Sequence, residues 1–212
     1  MRIDIWSDVV CPWCFLGKRR FERALGEVEG GDAFEVRWRA YQLDPTATTT
    51  PGDLRHSIER KYGPGAFDGM VERLTALGAA EGFDYRFDIA QRVNTLDAHR
   101  LLAWAWDTGG IAGQGALAER LFVAYFQEGA NVADHEVLAT AAAECGLDGD
   151  DARRVLGSGA YQVEVRDDLV GASERQLTGV PAFVIDDRLL IPGAQEVDTF
   201  RQLLTRALTR FE

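Results

Sequence analysis

The sequence predicts an α/β protein in which a long helical insertion interrupts a small sheet-forming unit. Two observations favour this class: a strand–helix–strand pattern opens the chain, and a hairpin followed by a helix closes it, with helix after helix in between. The 212 residues are 46% hydrophobic and 10% aromatic, so one large domain, or one domain with an insertion, can bury its core without disulfide bonds.

The first part, residues 1–45, has the pattern of a β-α-β unit. Ile3 to Trp6 is a short apolar run typical of a buried strand, and apolar residues then recur at helical spacing until Gly30-Gly31. Residues 34–43 alternate between apolar and charged side chains, which predicts a strand with one buried face. Because a helix connects the two strands, we expect them to lie parallel in one sheet.

The middle part, residues 46–177, is predicted to be an all-helical insertion. One of its helices is expected to end at Gly109-Gly110, and the next is expected to begin at Leu117. Two later helices are expected to have aspartate N-caps, namely Asp134 and either Asp150 or Asp151. The apolar faces of these helices need a partner, so the insertion should pack against the sheet-forming unit.

The last part, residues 178–212, has the pattern of a β-β-α unit. Ala182–Ile185 and Leu189–Ile191 read as two short strands, and Asp186-Asp187 between them predicts a tight hairpin turn. The closing helix carries an apolar stripe that runs from Val197 to Phe211.

The motif that bears the chemistry is Cys11-Pro12-Trp13-Cys14, between the first strand and the first helix. In that context Cys-x-x-Cys indicates a redox centre, because a helix N-terminus stabilises a thiolate and a thiolate is the nucleophile of disulfide exchange. Cys14 lies one helical turn after Cys11 and can resolve a mixed disulfide there. A β-α-β half and a β-β-α half around this motif predict a thioredoxin fold with a large all-helical insertion.

Charge and composition exclude several classes of function. The net charge of −11 argues against nucleic acid or an anionic membrane as partner. No stretch approaches the ~18 apolar residues of a membrane span, and the N-terminus lacks a signal-peptide pattern, so we expect a cytoplasmic protein. Three cysteines are too few for a secreted disulfide scaffold.

Five segments together resemble the DsbA family, and within it the FrnE-like cytoplasmic branch. This branch shares its scaffold with 2-hydroxychromene-2-carboxylate isomerase and the kappa-class glutathione transferases. The resemblance covers essentially the whole chain and is carried by Ser7–Gly17, Asn94–Leu101, Leu121–Gly129, Thr178–Phe183 and Ile191–Gln195.

The resemblance implies a thiol–disulfide oxidoreductase that acts on a protein or small-molecule thiol or disulfide. It implies that Cys11 is the nucleophile, that Cys14 resolves the mixed disulfide, and that Val180-Pro181 forms a cis-peptide loop facing them. The backbone of Val180 would then pair with an extended substrate segment. The isomerases and transferases carry serine at the Cys11 position, and secreted DsbA proteins carry histidine between the cysteines, where this chain has Pro12-Trp13.

Three further residues are candidates for substrate contact. Trp13 and Pro12 lie beside the sulfur, and Trp13 is expected to be exposed. His99 either lines the substrate groove or is a partly buried histidine bonded to the backbone. Asp8 either relays a proton to Cys14 or caps the turn before the helix.

Several alternatives stay open. The only cofactor-like group expected is the redox-active Cys11–Cys14 disulfide, with glutathione as a candidate cosubstrate. A metal site is not expected, because zinc needs four ligands and the other candidates, Cys145, His56, His99 and His135, are scattered. Cys145 is read as a buried small hydrophobe or as a third redox thiol.

The alternative functions are a glutathione-dependent isomerase or transferase of small aromatic compounds and a non-catalytic holding module. The chain is expected to be a monomer or a homodimer.

Overall fold

The computed structural model describes residues 1–211, with the backbone alone for Phe211. A four-stranded sheet has the order β2-β1-β3-β4, formed by β1 (Arg2–Ser7), β2 (Glu35–Ala40), β3 (Ala182–Ile185) and β4 (Leu189–Pro192). β1 is parallel to β2 and antiparallel to β3, so that Ile5 pairs with Trp38 on one side and with Phe183 on the other. The predicted β-α-β opening and β-β-α ending are confirmed, and they share one sheet.

The hairpin between β3 and β4 has the tight turn that the sequence predicts. Asp186 and Asp187 both have positive φ, at 46° and 54°. Two successive residues with positive φ match the right-handed twist of paired strands, and aspartate tolerates this conformation better than most residues.

Two helices cover one face of the sheet. These are α1 (Pro12–Glu27) and α8 (Val197–Phe211), which pack against each other. The ring of Phe21 lies 5.1 Å from that of Phe183 in β3 and 5.7 Å from that of Phe200 in α8, measured between centroids. This aromatic contact joins the first helix, the sheet and the last helix. The side chain of Phe211, predicted on the same stripe, lies outside the described residues.

Six helices lie between β2 and β3: α2 (Leu54–Tyr62), α3 (Ala66–Ala80), α4 (Leu96–Phe126), α5 (His135–Glu144), α6 (Gly149–Leu156) and α7 (Gln162–Glu174). Most of their core residues form one continuous cluster with those of the sheet unit, while Ala172 of α7 packs in a second cluster with Trp6, Ala182 and Val184. On edge strand β2, the side-chain amide of Gln114 in α4 accepts from the Trp38 N–H (2.8 Å) and donates to the Trp38 carbonyl (3.0 Å). A helix side chain therefore replaces a neighbouring strand there. The boundaries at residues 45/46 and 177/178 stay a prediction.

Helix α4 is broken at Gly110, where φ is 59° and ψ is −152°. The predicted end at Gly109-Gly110 is thus confirmed, but the next helical segment begins directly after it, well before Leu117. Residues 112–116 are small or polar and Ile111 alone makes no apolar stripe, which is why the sequence did not reveal their helical state. No helix within residues 1–211 combines the length and the apolar character that crossing a bilayer requires.

The predicted helix caps were right for α5 and wrong for α6. Asp134 accepts hydrogen bonds from the backbone N–H groups of Glu136 (2.9 Å) and Val137 (3.1 Å). At α6 the cap is Asp148, whose carboxylate accepts from the N–H groups of residues 150 and 151 (2.9 and 3.0 Å). Those two aspartates lie in the first turn of α6, where their charge suits the helix dipole.

Strand β2 is shorter than the predicted residues 34–43. It ends at Ala40, opposite Ser7, because β1 ends there and offers no further partner. The Tyr41 N–H still bonds to the Ser7 carbonyl (3.1 Å), and the Leu43 N–H then turns to the carboxylate of Asp8 (2.8 Å). This turn brings the chain to the two cysteines.

Candidate active site

Cys11 and Cys14 lie at the N-terminus of α1, directly after the sheet. Cys11 is the N-cap residue with extended backbone angles, and Pro12 occupies the first helical position. Proline suits that position because it has no N–H to leave unbonded. Both cysteines are free thiols, Cys11 is 3% exposed and Cys14 is fully buried. Cys11 is therefore the more accessible of the two sulfurs, and it lines a pocket that Cys14 does not.

The loop before β3 faces Cys11, as the resemblance implied. The Val180–Pro181 peptide bond is cis, and the Cys11 thiol lies 3.7 Å from the Val180 carbonyl oxygen, to which it donates. Pro181 is buried against Gly17 of α1, where an added Cβ would lie 3.0 Å from the proline Cγ. The absence of a side chain at Gly17 therefore allows the loop to approach the helix this closely.

The buried thiol of Cys14 is held in its protonated form. Burial raises its pKa well above the ordinary value of 9.0, and neighbouring Cys11 adds to the shift. The hydroxyl of Ser7 and the backbone N–H of Asp8 hydrogen-bond to the sulfur and lower the pKa in part. The Cys14 sulfur thus has hydrogen-bond donors placed to stabilise a thiolate.

Asp8 and His99 form a buried pair beside the motif. His99 Nε2 lies 3.3 Å from one carboxylate oxygen of Asp8, and the other oxygen accepts from the Leu43 N–H. His99 is 3% exposed and lies away from the pocket wall, and its ring is bonded to a carboxylate rather than to the backbone. The side chain of Asp8 does not cap the turn; its backbone oxygen accepts from the Cys11 N–H (2.9 Å).

The Pro12-Trp13 dipeptide is fixed from both sides. Trp13 is half-buried rather than exposed, with the guanidinium of Arg73 in α3 4.9 Å from its ring centroid. The Pro12 carbonyl accepts a 2.5 Å hydrogen bond from the Tyr85 hydroxyl. Burial raises the pKa of Tyr85, so this hydroxyl stays a donor.

A pocket of about 540 Å³ opens over Cys11. Its floor is the motif and the cis-proline loop, since Cys11, Pro12, Trp13 and Val180 all line it. Its far walls come from the helical insertion, including Leu54, Ile58, Lys61, Tyr62 and Met70. The insertion therefore covers Cys11 with a largely apolar chamber, as pockets for small organic groups have.

Sequence reasoning missed two of these contacts. Tyr85 lies in the run Phe83–Phe87, which alternates aromatic and charged residues, and that alternation was the available signal for buried rings. Arg73 carried no signal, because its contact with Trp13 depends on how α3 is placed.

The remaining candidates lie apart from the pocket. Cys145 ends α5 half-buried rather than buried, and His135 Nε2 lies 2.7 Å from Asp97 on the surface. In the described part of the chain, no three His, Cys, Asp or Glu side chains come together as metal ligands would.

Comparison with known proteins identifies the family. The model of the DSBA-like thioredoxin domain matches residues 2–205. The crystal structure of a probable DsbA oxidoreductase, SCO1869 from Streptomyces coelicolor, is 37% identical with a TM-score of 0.91, covering 99% of this chain and 91% of that one.

Two more distant structures share the fold. The structure of 2-hydroxychromene-2-carboxylate isomerase is 17% identical with a TM-score of 0.74, covering 100% of this chain and 98% of that one. Cytosolic disulfide reductase DsbM from Pseudomonas aeruginosa is 21% identical with a TM-score of 0.72, covering 99% of both chains. The predicted relationship and the thioredoxin fold with its large helical part are confirmed. From the match over residues 2–205, this chain belongs to the DSBA-like thioredoxin domain family.

Proposed function

We propose that this protein is a thiol–disulfide oxidoreductase with Cys11 and Cys14 as its redox pair. The observation that carries the proposal is the position of Cys11 at a helix N-terminus, opposite the Val180 carbonyl and at the floor of a pocket. A helix N-terminus favours a thiolate, and Cys14 lies one helical turn after Cys11.

The reaction consists of two exchanges. The Cys11 thiolate attacks one sulfur of a substrate disulfide, forms a Cys11–substrate disulfide and releases the other substrate sulfur as a thiolate. Cys14 gives up its proton and attacks Cys11, so that the second substrate thiolate leaves and the Cys11–Cys14 disulfide forms. The substrate gains two electrons, and a second thiol compound must return the pair to the dithiol.

The surroundings favour reduction or isomerisation over oxidation. Trp13 supplies no cation to a Cys11 thiolate, and burial raises the pKa of Cys14, so neither feature favours a strongly oxidising pair. The reductase DsbM, named cytosolic, has been solved with GSH. These points support a cytoplasmic protein for which glutathione is the candidate electron donor.

The second candidate is a glutathione-dependent isomerase or transferase. The observation favouring it is the largely apolar pocket of about 540 Å³ over Cys11, which is large enough for a small aromatic compound. This function would need Cys11 or a bound glutathione thiol and would survive loss of Cys14.

A redox titration separates the two. The chain is equilibrated in glutathione buffers of graded potential, alkylated and weighed intact. A two-electron change between dithiol and internal disulfide supports the oxidoreductase. Its midpoint gives the reduction potential, with about 30 mV for each tenfold change in the equilibrium constant. A pair that never closes, with glutathione held on the protein, would overturn the proposal in favour of the second candidate.

A further inference from the structure

A second chamber of about 420 Å³ adjoins the pocket over Cys11. Val10, Leu43, Leu54, Ile58, Lys61 and Tyr62 line both spaces, so the two share the wall formed by α2 and the turn after β2. Cys11 lines only the first space, while Ser57, Arg60, Val93 and Tyr125 line only the second. The reacting sulfur and the second chamber are thus parts of one crevice.

The interior of the second chamber is apolar. Val93 is 4% exposed, and Tyr125 has its hydroxyl already bonded to the Gln91 carbonyl (2.7 Å), so its polar atom is satisfied. No residue of α2 is buried, and Leu54 and Ile58 are only half-covered. The helix therefore presents apolar side chains that the fold itself does not cover.

The rim of the chamber is basic in an acidic protein. Arg60 and Lys61 are both exposed, and within the described residues neither has a carboxylate within ion-pair distance, although Lys61 lies 5.2 Å from the ring centroid of Tyr62. The carboxylate at this rim, Asp44, is bound by Arg92 (2.6 Å). Two uncompensated cations on a chain of net charge −11 favour an anionic ligand here.

We propose that the second chamber is a substrate subsite, which takes an aliphatic or aromatic arm that ends in a carboxylate. A cavity of about 150 Å³ holds benzene, so 420 Å³ has room for an arm longer than a single ring. The inference rests on the proposed function: the substrate is then an organic thiol or disulfide whose sulfur reaches Cys11 while its acidic arm lies under α2.

The test uses mixed disulfides of pyridinethiol with mercaptopropanoate, mercaptooctanoate and mercaptooctanol. The Cys11 thiolate attacks the alkyl sulfur, forms a Cys11–alkyl disulfide and releases pyridinethione, whose absorbance gives the rate. All rates are measured in the Cys14→Ser chain, because its reaction stops at the Cys11–alkyl disulfide. Mercaptooctanoate is expected to react with a kcat/KM or second-order rate constant about tenfold above mercaptopropanoate and severalfold above mercaptooctanol.

Two variants assign the preference to the chamber. Ser57→Trp fills the chamber from α2 and should remove the preference for the long arm, while Arg60→Gln should remove only the preference for the acid over the alcohol. His56→Trp is the matched control, because His56 is exposed on the same helix and lines neither space. His56→Trp should leave the rates of all three compounds unchanged.

The outcomes separate this inference from the function it rests on. Equal rates for the long and short acids, or an unchanged preference in both Ser57→Trp and Arg60→Gln, would overturn the subsite. Failure of the internal disulfide to form in glutathione buffers would overturn the oxidoreductase instead, and the attack rates of Cys11 would still be measurable.

Discussion

His99 Nε2 lies 3.3 Å from Asp8 Oδ1, and the two side chains are 2% and 1% exposed. Asp8 also accepts from the Leu43 N–H through its other carboxylate oxygen and from the Cys11 N–H through its backbone oxygen. One residue therefore joins helix α4, the turn after β2 and the first cysteine.

Asp8→Ala is expected to lower the free energy of unfolding by about 3 kcal/mol, because it leaves the Leu43 N–H and the His99 ring without partners in a buried place. Asp8→Asn keeps an oxygen acceptor and should cost about 1 kcal/mol. Urea unfolding of both variants measures the difference, and equal losses would show that the carboxylate oxygens do not carry the contact.

The two cysteines are expected to fail in different ways. Cys11→Ser should abolish exchange, because no nucleophile reaches the pocket. Cys14→Ser should still attack and then accumulate a mixed disulfide with its substrate, since nothing resolves it. Intact mass after incubation with oxidised glutathione reads both results. Full turnover by Cys11→Ser would contradict the assigned order of attack.

The raised pKa of Cys14 predicts a fall in stability at high pH. Above the ordinary pKa of 9.0 the folded thiol keeps its proton, whereas the unfolded thiol loses it. The contribution of this thiol to folding stability is therefore complete below pH 9.0 and is lost as the pH rises. Between about pH 8 and pH 10 the free energy of unfolding of the reduced protein should fall by about 1.4 kcal/mol more than that of Cys14→Ser.

The matched control is Cys145→Ser, because partial burial also raises the pKa of Cys145. Its thiol is more exposed, so this variant should retain most of the pH dependence. Urea unfolding in the presence of a phosphine reductant gives the measurement. If the free energy of unfolding fell with pH equally in the unsubstituted protein and in Cys14→Ser, the Cys14 thiol would not hold its proton.

Glycine at position 17 is predicted to matter because of the loop beside it. In Gly17→Ala the new methyl group would lie 3.0 Å from the Pro181 Cγ, so the proline must give by a few tenths of an ångström, and we expect the Val180 carbonyl beside Cys11 to shift with it. We expect an unfolding free energy at least about 1 kcal/mol below that of Gly26→Ala, and a changed alkylation rate of Cys11.

Gly26→Ala, in the same helix, meets no atom within 4 Å. It should stabilise the protein by about 0.5–1 kcal/mol through helix propensity alone and leave Cys11 reactivity unchanged. Equal effects of the two substitutions would show that the loop tolerates the methyl group.

The sequence predicted the elements whose signals are local. The strand before Cys11, the turn at Asp186-Asp187 and the break at Gly110 each follow from a few neighbouring residues. Placement across the chain was harder: the sequence left His99 either in the groove or bonded to the backbone, whereas its ring is bonded to Asp8, 91 positions away in sequence. The second chamber could not be foreseen, because it depends on how α2 lies over the turn after β2.

The sheet order has a consequence for the assembly of the protein during synthesis. Central strand β1 pairs with β2, which follows soon after it, and with β3, where Ile3 meets Ile185. Such distant pairing is slow to form, and chains fold from the N-terminus as they are made. A nascent chain therefore carries both thiols, without the strand that completes their sheet, through most of its translation. We therefore expect Cys11 and Cys14 to be more accessible to oxidants before β3 is made than in the folded chain, where Cys11 is 3% exposed and Cys14 is fully buried.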